Sequence, residues 1–282
     1  MIWRILPLKR IERNPWEMFY IGLIYSTISF LLVSFFFSKD FVLDKYRGVL
    51  LSTIGLICCF PYFYFFIKRE EGKDLEISQE GRLIKEHTKT LKALLWLFFG
   101  LSVGFGFWFL VSPGEAPKTF DAQIKTFCII NKADGYEECL KSYGVITGSA
   151  TNINHLMGIL VNNISVMIIV LFGSLFFGAG AIFILVWNAS VVGAAIGMFS
   201  KDLMRMPIGI LRYLIHGIPE ISAYFVAALA GGIVSVAIVR KDLKGERMWI
   251  ILEDAIILLI IGFLILIASA FIEVYVTPLI IR

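Results

Sequence analysis

The chain has 282 residues, of which 58% are hydrophobic and 17% charged, against roughly 45–50% and about 25% in an ordinary soluble domain. That composition excludes a water-soluble globular fold and makes the lipid bilayer the first expected partner. The formal charge of +4 sits in loops beside apolar runs, where Lys and Arg report topology, so nucleic acid is not an expected partner.

The basic head MIWRILPLKRIER leads straight into a first apolar run that is too long for a signal core and lacks a small-x-small cleavage site. It is expected to stay as a span. A span needs about 20 apolar residues, and residues 18–38, 47–67, 93–111, 217–239 and 249–275 supply them. Cys58 and Cys59, inside the second, are expected to pack as small hydrophobes. The mixed-charge segment 68–92 predicts a short solvated helix, with His87 on its surface. Residues 112–155 form one long polar loop, in which Cys128 and Cys139 are spaced C-x10-C with no histidine between them. That pattern fits neither a zinc ribbon nor a redox CxxC, and leaves a disulfide or two free thiols, depending on the compartment.

Leu156 to Phe199 is a 44-residue apolar stretch that would make a helix of roughly 66 Å, about twice the hydrocarbon thickness. Two helices are expected instead, broken at Gly178-Ala179-Gly180. The segment 200–215, interrupted by Pro207 and Gly209, predicts a short helix lying along the interface before the chain turns inward at His216.

The fold class is therefore all-α, a polytopic transmembrane helical bundle of about seven spans, with six as the alternative. The division expected along the chain is 1–92, two spans plus a charged cytoplasmic loop, and 93–282, a membrane core carrying the extracytoplasmic loop 112–155. With the N-terminus in the cytoplasm, fifteen of the twenty-six Lys and Arg fall on the inner side. A six-span chain gives the same number, so helix length and the dense basic run RKDLKGER at 240–247 favour seven. A multi-pass protein of the cell membrane is expected.

Ionisable groups within spans are rare and mark interior or functional positions. His216 and Glu220 share a helix face at i and i+4, and Glu273 reaches the same outer level from the last span. Asn162 and Asn163 lie close to that depth, and Asn188 lies nearer the middle of the fifth span. The face of His216 and Glu220 continues through Ala223, Ala227 and Gly231, a small-residue stripe that admits another helix, with Gly100-x3-Gly104 and Gly193-x3-Gly197 as matching surfaces. One reading of this cluster is a divalent metal site on His216, Glu220 and Glu273, although HGIPE lacks the second histidine of HExxH. Another is a buried polar network of His216, Glu220, Glu273, Asn188 and Asn163 that clamps helices together. A third is an ion or proton relay, with Glu253 and Asp254 as a further station. The sequons at Asn163 and Asn188 fall in predicted membrane, and there is no Walker A loop, nucleophile elbow or Rossmann glycine pattern.

The run NNISVMIIVLFGSLFFGAGAIFILVWNASVVG, then HGIPEISAYFVAALAGG, then ASAFIEVYVTP, resembles the stage II sporulation protein M family of integral membrane proteins. The resemblance implies a five-helix core over residues 93–282, and a scaffold that holds partner proteins degrading peptidoglycan, with no chemical activity established for the membrane subunit itself. The chain departs from that pattern in its two extra N-terminal spans and in Asn188-Ala189. The expected function is a non-enzymatic assembly subunit without a cofactor, holding other membrane or extracytoplasmic proteins or a second copy of itself. A metal-dependent intramembrane hydrolase and an ion- or proton-coupled transporter are the alternatives.

Overall fold

A computed structural model describes residues 11, 13–76, 80–130, 153–177, 180–239 and 246–280, and among these there are helices and turns but no strands. In chain order the helices are α1 (Glu17–Leu32), extended by a π-helical stretch Val33–Phe37; α2 (Arg47–Glu76); α3 (Glu80–Val111); the short α4 (Ala116–Thr119); and α5 (Asp121–Ile130). They continue with α6 (Ile153–Phe177), α7 (Gly180–Ser200), α8 (Met206–Val239) and α9 (Glu246–Phe271), the last extended by a π-helical stretch Ile272–Val276 and by α10 (Thr277–Ile280).

Six helices among the described residues are long and apolar enough to cross a membrane: α1, α3, α6, α7, α8 and α9. The predicted span 47–67 forms the first part of α2. Its place in the bundle is fixed by Ser52, which meets Ser190 of α7, and by Gly55, where a Cβ would stand 2.8 Å from Val186 and 3.4 Å from the Ser29 hydroxyl. The chain is an all-α, multi-pass membrane protein.

α7 is the axis of the bundle. It packs against α2, α3, α5, α6 and α8, and Ala189 to Met198 is buried except at Val192, as expected of a helix that is apolar all round and lined with small residues. α1, α2, α3 and α5 lie on one side, and α6, α8 and α9 on the other. Parallel and antiparallel pairs follow from which residues meet. Gly106 faces Gly193 and Phe109 faces Gly197, so α3 and α7 run together; Phe19 faces Gly100 and Ser26 faces Gly104, so α1 runs with them. Gly262 faces Ala223 and Ser269 reaches the carbonyl of His216, so α9 runs against α8. The end of the bundle that holds Arg47, Glu115 and His216 is called the upper end below.

Residues 156–199 are two helices, as expected, with α6 ending at Phe177 and α7 starting at Gly180 and residues 178–179 outside the described set. The 200–215 segment, by contrast, is no separate interfacial helix. The chain turns at once after Ser200: Lys201 takes a left-handed φ of 61°, its N–H donates to Gly197 O, and Asp202 caps the next turn through the N–H of Arg205 at 2.9 Å. Pro207 then occupies the first turn of α8, where its missing N–H costs nothing, so the 34-residue α8 starts nearly three turns before His216. Finally, the described part of the charged segment 68–92 prolongs α2 and α3 rather than forming a short helix of its own. His87 lies where side chains are outside the described set.

Candidate functional site

At the upper end, α8 presents His216 to α9. His216 is 8% exposed, and three residues four apart on α9 and its extension converge on it. Ser269 Oγ donates to the His216 carbonyl at 2.7 Å, Glu273 Oε1 lies 4.0 Å from Nε2, and Thr277 Oγ1 lies 3.5 Å from Nδ1. On a regular α-helix each step of four drifts by about 40°, which would carry Thr277 off the seam. The π-helical turn around Glu273, closed by the Thr277 N–H on Ile272 O, takes back that drift, a use of π turns that recurs at functional sites.

One turn further along α8, Glu220 accepts a hydrogen bond from its own-helix neighbour Tyr224 at 2.7 Å, and Glu273 is close enough to act on it electrostatically. A proton shared within the His216–Glu273 pair, as imidazolium with carboxylate or imidazole with carboxylic acid, avoids a net charge in a low-dielectric setting. Ser269 spends its hydroxyl on a backbone carbonyl rather than on the imidazole ring, so the geometry does not activate it as a nucleophile.

The other expected members are placed differently. Asn188 is not joined to His216, because its amide donates to Ile184 O within α7 at 2.8 Å. Asn163 is 3% exposed on α6. Its Oδ1 accepts from Asn162 at 3.1 Å, and its Nδ2 is buried without a protein partner. Ile159 and Leu156, on the same α6 face, pack on Ala270 and Val274 of α9, so Asn163 approaches the α9 side of the seam. Among the described residues no three His, Cys, Asp or Glu side chains are grouped as a metal ion would require. Cys128 is buried and disulfide-bonded, while Cys58 and Cys59 are free; Cys139 lies outside the described residues. The small-residue surfaces also pair otherwise than expected. Gly231 of the α8 stripe receives Leu171 and Ser174 of α6, Gly100 and Gly104 receive α1, and Gly193 and Gly197 receive α3.

A second polar group has no counterpart in the expectations. Gln123 of α5, buried completely, donates through Nε2 towards Gly48 O at 2.8 Å and towards the hydroxyls of Ser52 and Ser190, each at 3.1 Å. Ser52 and Ser190 are themselves 3.1 Å apart. Beside them Arg47 is 1% exposed and pairs with Asp44 at 2.6 Å and Glu115 at 2.5 Å, with Thr119 at 3.4 Å. The signal for α5 was present: Phe120, Gln123, Ile124, Phe127 and Cys128 keep the i, i+3, i+4, i+7, i+8 spacing of a buried helix face.

Comparison with known proteins comes to bear on this geometry. A family model described as stage II sporulation protein M matches residues 95–278, well over half of the chain. An uncharacterized protein of Methanocaldococcus jannaschii is 35% identical over 129 residues, which cover 43% of this chain and 69% of that protein. No solved structure matches.

Proposed function

The chain belongs to the stage II sporulation protein M family, and from that premise we propose that it is a non-enzymatic assembly subunit that holds other membrane or extracytoplasmic proteins, with the His216 seam as a fastening between its helices. One observation carries this reading: the seam's polar groups are directed at one another and at backbone across α8 and α9, as in a clamp, and not at an open cleft. The gap that Tyr224 lines is otherwise walled by Val170, Ile184, Leu185, Ile221, Phe225 and Ala228, an almost wholly apolar surface. Interhelical polar contacts of this kind contribute about 0.5–2 kcal/mol each within a membrane.

The test combines stability with two chemical readouts. His216→Ala and Glu220→Gln should lower the melting temperature of the purified protein in detergent, while proteoliposomes of wild type and Glu273→Gln carry the same background proton flux. Near-stoichiometric zinc that disappears in these variants would replace the clamp with a metal site. Proton uptake by wild type that Glu273→Gln abolishes would replace it with a transporter.

A further inference from the structure

The family match begins at residue 95, so α1 and α2 precede it entirely. Apolar helices in lipid gain nothing hydrophobic by meeting one another; they associate through close packing and interhelical polar bonds, and each span is stable by itself. α1 and α2 have both kinds of contact. Along α1, Gly22 lies on the backbone of Leu97 to Leu101, the Phe19 carbonyl fills the space over Gly100, and Ser26 fills that over Gly104. Trp108 of α3 donates to Thr27 at 3.0 Å. Along α2, the absent side chain of Gly48 makes room for Gln123, whose Oε1 would stand 2.6 Å from a Cβ there, and Arg47 is caught by Glu115 and Thr119.

We propose that the face of the core formed by α3, α5 and α7 is a docking site for a pair of antiparallel transmembrane helices, and that residues 17–76 are its tethered occupant, held by these contacts and not by the covalent link. Gly48 and Arg47 are the recognition points of the occupant, and Gln123 and Glu115 those of the core. This inference stands on packing alone and does not rest on the assembly reading. If that reading also holds, other partners must use the opposite side, around α6, α8 and α9, because this face is already filled.

The experiment uses the full chain with a protease site inserted between Glu76 and Glu80, cut after purification in mild detergent and run on a sizing column. The N-terminal fragment of wild type should stay with the core, whereas Gly48→Leu and Arg47→Leu should lose it on cutting, with the uncut variants eluting and showing helical circular dichroism as wild type does. Separation of the wild-type fragment from a core that keeps its helicity would overturn the proposal. So would retention equal to wild type in both variants and in a chain that adds Gly22→Leu, against the α3 backbone, which would mean that the micelle, not the interface, holds the pieces. Should Gly48→Leu fail to fold uncut, Glu115→Gln takes its place, and retention equal to wild type in that variant too counts against the latch.

Discussion

Gln123 and Lys201 show how single residues carry this structure. The Gln123 amide ties α5 to α2 and α7 at once, and replacing it with Leu leaves two hydroxyls and a carbonyl to share what remains. A loss of about 1–3 kcal/mol is expected for that buried polar deletion, read as a lower detergent melting temperature. Gln123→Glu should fare worse than Leu, because a carboxylate would face Gly48 O. Lys201 works in the opposite direction. Its left-handed φ of 61° costs a non-glycine residue about 1 kcal/mol, and the side chain is exposed, so Lys201→Gly should raise stability by up to about that amount. No melting-temperature gain in that variant would mean that contacts elsewhere in the turn repay the strain.

Among the helices, space rather than composition separates one glycine from another. Gly217 and Gly232 have nothing within 4 Å of a built Cβ, while Gly231, beside one of them in sequence, would press a Cβ to 2.6 Å of the Leu171 carbonyl. Gly217→Ala and Gly232→Ala should therefore stabilise α8 by about 0.5–1 kcal/mol through lost backbone entropy. Gly231→Ala should destabilise it, since α6 backbone must move. The three melting temperatures decide it, and a common direction of change would refute the packing of α6 on α8. This is also where the sequence reading reached its limit. The small-residue stripes at 100–104, 193–197 and 223–231 were visible as helix-packing surfaces, but a stripe states only that something comes close. Which helix it is depends on the register of all the others, and α1 took the groove on α3 that had been matched to α8. His216, Glu220 and Glu273 were legible because charge in a span is costly wherever it faces; Gln123 and Arg47 were missed because they lie in segments read as loop and as span end, where polar residues are ordinary.

At the level of the whole molecule, span number and side of exposure are one problem. Phe41 and Met204 are 98% and 92% exposed at turns on the upper end, and between them the chain passes through α2, α3, α6 and α7. Four crossings return it to the same side of the membrane. Three crossings, whether because α2 does not span or because 156–199 were a single helix, would put the two turns on opposite sides. The distribution of Lys and Arg predicts that this shared side faces outside. In a background with Cys58 and Cys59 replaced by Ala, Phe41→Cys and Met204→Cys should both react with an impermeant maleimide on intact cells. Trp16→Cys and Trp249→Cys, at lower-end positions that are 47% and 67% exposed, should react only after the membrane is opened. Reaction of the second pair alone would keep seven spans and invert the molecule, because it reverses the sign without changing the parity. Reaction of Phe41→Cys and Met204→Cys from opposite sides would break the parity, and with it the placement of α2 against α7 through Ser52, Gln123 and Ser190.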